Sequence, residues 1–276
     1  MVFLQWMIAA APELREAACA AHLPIANAAY RIQKGALCAL PMAAGLRCGA
    51  LLLNSSDGSC SQAVVQSILQ ECARRRYGTV IVPFPAPALT ASLARHLYRA
   101  GISLWVHETC AHAAPGGMVL VCTAMSGGDI QRRLRECCRA FGADRIVLDL
   151  QRLRMDFPLP CPTGEGVPLT GEQLCRLQKG RQVFYSKELG ARYFTYRRGG
   201  STRFVLLDDG DTLRRKAALG EQLGIRRGLL TLPECGDVWQ DVIKKETRET
   251  DSQVSRSLNS NACCGSCAQP QTSCDA

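Results

Sequence analysis

From the amino terminus, short apolar runs alternate with amphipathic stretches of helical period. Val2 to Ile8 reads as a strand, Pro12 to Ala21 as a helix, and Ala29 to Leu40 as a second strand region with poorly marked limits. Cys48 to Asn54 (CGALLLN) is a strand, and Gln62 to Arg76, led in by Cys60, is a helix. Thr79 to Val82, Ser103 to Glu108, Met118 to Ala124 and Arg145 to Gln151 continue the strand series. Helices fall over Leu89 to Ala100 and through the Arg-rich DIQRRLRECCRAFG. Strands that are β-branched and apolar on both faces belong to a parallel sheet covered on both sides.

The rhythm breaks at Arg152. From there to Asp209 the chain is rich in Pro and Gly and then reads as short β segments, QVFYS, ARYFTYRRGG and TRFVLLDD, with Gly199-Gly200 suited to a hairpin turn. A helix capped by Asp211 or Thr212 then runs through Leu223, followed by a strand at Gly228 to Leu232 and a last helix at Val238 to Glu246. About eight strands alternating with helices predict an α/β fold, a closed (β/α)8 TIM-like barrel over residues 1–246, with a small β-rich insertion (about 152–209) before the last strand. A doubly wound open sheet is the alternative. Residues 247–276 form a polar, Cys-rich segment expected to be disordered. Its Cys264 and Cys267 have knuckle spacing, with Cys263 and Cys274 nearby, but no second pair stands at the usual distance, so no metal is expected.

Composition changes this picture little. The chain has 276 residues, 47% hydrophobic and 21% charged, ordinary for a globular protein. The formal charge of +9 is scattered among several short clusters. In the Arg-rich helix, Ile130, Leu134, Cys137, Cys138 and Phe141 share one face and Arg132, Arg133 and Arg139 lie elsewhere, which is a solvated helix back and argues against nucleic acid as a partner. The sixteen cysteines lack the spacing of a disulfide framework, so a reducing compartment, cytoplasmic or spore-associated, is expected. No Lys or Arg precedes the opening apolar run, which therefore reads as the first strand and not a leader. No apolar run approaches the roughly 20 residues of a membrane span.

Candidate chemistry lies at the carboxyl ends of the strands, where barrels place their sites. The polar groups there are Asn54 with Asp57, His107 with Glu108, Ser126, Asp149 with Gln151, and Glu234. Glu108, Asp149 and Glu234 are candidates for a carboxylate set, and Asn54, Ser126 and Gln151 for further ligand contacts. His107 shares a strand face with Trp105 and reads first as a packed, hydrogen-bonded histidine. SGGD, Ser126 to Asp129, opens a helix and could cradle a phosphate, although Asp129 is a natural cap that would repel one. Tyr185, Tyr193 and Tyr196 could stack on a sugar or serve as core. By contrast, the strand in YGTVIVPFPAP ends in Pro83, Pro85 and Pro87 without a polar side chain.

The stretch YFTYRRGGSTRFVLLDDGDTLRRKAALGEQLGIRRGLLTLPE resembles glycoside hydrolase family 18, in particular short bacterial members acting on peptidoglycan or spore-wall N-acetylglucosamine polymers. The corresponding positions are Tyr196, the hairpin at Gly199, Asp208-Asp209, Thr212, Lys216 and Gly228, with Asp156-Phe157 standing where the family often has Asp and Trp. The resemblance makes YGTVIVPFP the fourth barrel strand, which carries DxxDxDxE in active members. Here those positions are Gly78, Ile81, Pro83 and Pro85. In the family the Glu protonates the leaving oxygen and the Asp orients the substrate acetamide, and proline does neither. A rival register puts the motif on Asp144, Asp149 and Gln151, but it leaves too little chain for the remaining strands. Ala124 and Met125 replace a Tyr-Asp pair, and Leu232 replaces a pocket Trp. The resemblance thus implies a pseudoenzyme: a barrel without cofactor that binds an N-acetylglucosamine-containing glycan or a partner. The alternative is an enzyme with a relocated carboxylate site for a glycan or a phosphorylated small molecule.

Overall fold

The computed structural model describes residues 3–40, 48–58 and 60–243. Eight parallel strands close on themselves: β1 (Gln5–Ala10), β2 (Ile25–Gln33), β4 (Ala50–Ser56), β5 (Thr79–Val82), β6 (Ser103–His107), β7 (Met118–Cys122), β8 (Ile146–Leu150) and β14 (Arg227–Thr231). Each pairs with its neighbours in the order β1, β2, β4, β5, β6, β7, β8, β14, and β14 returns to β1. This is the expected (β/α)8 barrel, and the open sheet is excluded by the β1–β14 and β1–β2 ladders. The seventh place belongs to β8, so the rival register for the family motif, which needs that strand to be fourth, is wrong.

Three strands went unread: one after β2, and two in the Pro- and Gly-rich start of the insertion, at Arg154–Leu159 and Val167–Pro168. β3 (Ala36–Ala39) folds back antiparallel on β2, and the second strand begins at Ile25, four residues before the expected Ala29. Between strands, α1 (Arg15–Ala20), α2 (Gln62–Arg75), α3 (Pro87–Arg99) and α4 (Ile130–Phe141) cover the outside. Ser61 caps α2 and Asp129 caps α4, each accepting a backbone N–H of the first turn.

The barrel lumen is filled by alternate residues of each strand. Met7, Ala9, Ala26, Ala28, Ala50 and Leu52 meet Ile81, Trp105, Leu120, Val147 and Leu229 in one buried cluster. Small side chains from β1, β2 and β4 leave room for the Trp105 indole, so the lumen is a packed core and not a pore.

The insertion forms its own antiparallel sheet, β9 (Arg154–Leu159), β10 (Val167–Pro168), β11 (Phe184–Ser186), β12 (Ala191–Arg198) and β13 (Ser201–Leu207), in the order β10-β9-β13-β12-β11. Its helix α5 (Gly171–Gln178) starts in a capping box built by Thr170 and Gln173. Gly199 (φ 56°) and Gly200 (φ 78°) make the β12–β13 turn, as two positive-φ residues in a hairpin require. Leu174, Phe194, Tyr196, Val205 and Leu207 bury the face of the sheet beneath α5. The chain then enters α6 (Gly210–Gln222), capped by Asp209 in a box with Thr212, not by the expected Asp211 or Thr212. After β14 come two short helices, α7 (Leu232–Cys235) and α8 (Trp239–Ile243). No helix among the described residues is long and apolar enough to cross a membrane. Cys263, Cys264, Cys267 and Cys274 lie outside the described residues.

Candidate functional site

The fourth strand ends as its prolines dictate. The β5 ladder to β4 stops at Ile81 and that to β6 at Val82, and Pro83, which has no N–H, brings no donor with which to extend the pairing. Pro87 then occupies the first turn of α3, where a missing N–H costs nothing. Of the four family-motif positions, Gly78 donates to Gly49 O and accepts from Ser103 N at the amino end of the strand. Ile81 is wholly buried in the lumen. Pro83, two residues on, is half-buried on the same side, and Pro85 is exposed. A shallow cavity of about 220 Å³ lined by Ser56, Gly58, Phe84, Pro85, Pro87 and Leu89 opens beside this strand end.

On the other side of the barrel, β8 carries Asp149 in phase with Val147, which lies in the lumen. Its partners in the ladders are Cys122 on β7 and Leu229 on β14. Asp149 is 5% exposed. Gln151 Nε2 donates to its Oδ2 at 2.7 Å. Burial pushes the Asp149 carboxyl up to about 7; the Gln151 bond opposes this, and the Glu234 carboxylate adds to it. Cys122 is likewise raised, to about 11, by burial first and by Asp149 second.

Because folded Asp149 holds its proton more tightly than the unfolded chain does, the folded state loses ground as pH rises from about 4 to about 7. Asp149→Asn removes that loss. Within this window the variant is expected to gain about 1 kcal/mol on the wild type per pH unit, read from denaturant midpoints at pH 4.5 to 8. Parallel pH dependences for the two proteins would contradict the burial of a titrating carboxyl here.

The other expected site residues are only partly brought together. Glu234, exposed on α7, accepts from the backbone N of Arg152 and acts electrostatically on Asp149. Glu108 instead pairs with Arg133 of α4, which is therefore no simple solvated arginine. Asn54 is spent on the carbonyl of Ala28. Ser126 is exposed in the loop between β7 and α4. His107 Nδ1 bonds Thr109 Oγ1 at 2.8 Å and accepts from Thr109 N, so it serves the short 3-10 turn that follows β6. Ala124 is half-buried, Met125 packs on the outer core, and Leu232 is buried in the core beneath β1. Among the tyrosines, Tyr196 is core, donating to Asp156 Oδ2 at 2.8 Å, an oxygen that also takes Arg203 Nη2 at 2.8 Å. Tyr193 is sandwiched between Phe184 and Phe204, with ring centroids 5.6 and 5.4 Å away, and Tyr185 lies under the Arg215 guanidinium. Among the described residues no three His, Cys, Asp or Glu side chains converge as a metal site would need.

Two features escaped the sequence reading. One is the placement of Cys122 beside Asp149, for which the alternation Met118, Leu120, Cys122 along β7 was the available signal. The other is the donation by Gln151 to Asp149, which the i, i+2 spacing at a strand end permits.

No protein-family model matches the sequence, and the search of curated proteins found no match. Solved structures are similar in fold. The spore cortex-lytic enzyme SleL of Bacillus cereus is 14% identical with a TM-score of 0.64, over 88% of this chain and 74% of that one. SleL of Bacillus megaterium is 15% identical with a TM-score of 0.59, over 83% and 70%. A chitinase from Chromobacterium violaceum is 17% identical with a TM-score of 0.62, over 86% and 97%. At these identities the likeness carries the fold alone, a (β/α)8 barrel.

Proposed function

We propose that this barrel binds a glycan at its mouth and does not hydrolyse it. The observation that carries the reading is the pair Pro83 and Pro85 at the carboxyl end of the fourth strand, with Ile81 below them packed into the lumen. Neither an imino ring nor an isoleucine can protonate a leaving oxygen or orient an acetamide. The similar folds of a cortex-lytic enzyme and a chitinase favour a glycan as the ligand, and the family resemblance favours one containing N-acetylglucosamine. Calorimetric titration of the full chain with an N-acetylglucosamine tetramer is expected to give saturable heat while the oligomer is recovered intact. Absence of binding to N-acetylglucosamine oligomers and to cortex fragments alike would overturn the reading.

A second reading has one observation behind it: Asp149, pushed up to about 7 and coupled to Glu234, has the character of an acid relocated from the fourth strand to the seventh. It requires cleavage that is lost in Asp149→Asn.

A further inference from the structure

We propose that Asp149 and Gln151 form the recognition pair of the mouth, taking an uncharged hydrogen-bonding group of the ligand, a hydroxyl or an amide. The inference rests on the glycan-binding reading and assigns it residues.

Geometry comes first. Asp149 is more than nine-tenths buried and sits in the lumen-facing phase of β8, one step above Val147. Of its two carboxyl oxygens, Oδ2 is taken by Gln151, and Oδ1 meets no donor among the described residues. The polar side-chain atoms that are both sealed and unpartnered are Asn27 Oδ1, Thr90 Oγ1 and the Nε atoms of Arg133, Arg154 and Arg214, and Asp149 Oδ1 is not one of them. It is therefore not sealed, and it belongs to a residue near the carboxyl end of β8, the end at which the barrel mouth lies. Where a ligand covers it and excludes water, such an atom needs a partner, since an unmet buried polar group costs about 1 to 3 kcal/mol.

Charge decides the class of that partner. The titratable groups facing Asp149 are Cys122 from β7, held as a thiol with its proton pushed up to about 11, and the exposed carboxylate of Glu234 from α7. β14 presents the apolar Leu229 beside it. Arg133 of α4 and Lys216 of α6 act on the neighbouring Cys122 but are paired with Glu108 and Asp208, while the Glu234 carboxylate acts on Asp149 itself, so the site does not favour an anion. Below about pH 7 Asp149 keeps its proton, because burial raises it, and Oδ1 can donate to a neutral oxygen while Gln151 Oε1 remains free to accept. Above that pH the donor is lost.

The test is calorimetric titration of the full chain with an N-acetylglucosamine tetramer at pH 5.5 and pH 8.5. For the wild type the Kd is expected to rise about tenfold or more between the two, since a group titrating near 7 is almost wholly ionised at 8.5. Asp149→Asn, which keeps a donor at every pH, should bind with one Kd at both. Asp149→Ala should bind weakly at both, and a far-ultraviolet dichroism spectrum like that of the wild type establishes that it is folded. A wild-type Kd that is the same at both pH values, or an Asp149→Ala affinity equal to the wild type, would overturn the assignment and leave glycan binding standing. Failure of the wild type to bind at either pH would overturn both.

Discussion

Lys216→Met is expected to cost about 3 to 5 kcal/mol of folding stability. Lys216 Nζ donates to both oxygens of Asp208, at 2.9 and 2.8 Å, and neither side chain is more than 1% exposed. Thr212 Oγ1 donates to Asp208 Oδ1 at 2.8 Å and the backbone N of Leu153 to Oδ2 at 3.1 Å, so the fully buried carboxylate accepts four hydrogen bonds from three donor groups. Removing the ammonium leaves an ion in the interior whose solvation is no longer met. The position matters to the architecture as well. Asp208 stands where β13 hands the chain back to α6, and Leu153 where the chain leaves β8, so one carboxylate ties together both ends of the insertion. Asp208→Asn combined with Lys216→Met removes both charges together and should recover more than half of the loss, a coupling that a double-mutant cycle in denaturant reads directly. A loss under about 1 kcal/mol for Lys216→Met would mean that the pair is hydrated and the burial described here is wrong.

Ile81→Asp is expected to cost more than about 4 kcal/mol, enough to leave little folded protein. The side chain is wholly buried among Ala28, Leu52 and Trp105 in the lumen, and its replacement combines the lost apolar contact with a carboxyl that has no donor to meet. Pro83→Asp, two residues further along the same face and half-buried at the mouth, should change stability by no more than about 1 kcal/mol. The contrast is the informative part. The resemblance aligns both positions with carboxylates, yet in this chain one has become core and the other rim. Thermal and denaturant unfolding of the two variants measures it, and equal tolerance at both positions would show that Ile81 does not face a packed lumen.

How far the sequence could be read follows from what each segment had to signal. β5 and β7 are unbroken β-branched and apolar runs, β8 is one apart from Asp149, and the bounds of all three were found within two residues. The second strand was blurred because the lumen demands small residues from it. Ala26, Ala28 and Ala29 are buried, but alanine favours helix over strand and carries little periodic contrast. The Gly199-Gly200 hairpin was legible because its conformation admits few other residues. The helix cap was misplaced by two residues, since DDGDT offers several acceptors and only the end of β13 at Leu207 decides among them.

At the candidate site the gap was wider. Asp149, Glu108 and Glu234 were equivalent as rim carboxylates in the sequence. Only the fold distinguishes them: Glu108 meets Arg133 from a helix of the outer layer, Glu234 stands exposed, and Asp149 is buried. Long-range pairing of this kind leaves no mark on local pattern. Lys216 was read as a family position, and its burial against Asp208 is likewise a product of tertiary packing.

The central claim, that the fourth-strand prolines have removed hydrolysis, is tested most directly by incubating the purified full chain with an N-acetylglucosamine hexamer between pH 4.5 and 8 and following the products by mass spectrometry. The account predicts intact hexamer at the level of a control without protein, throughout the pH range. Shorter oligomers that appear with the wild type and vanish with Asp149→Asn would contradict it and place the acid on the seventh strand.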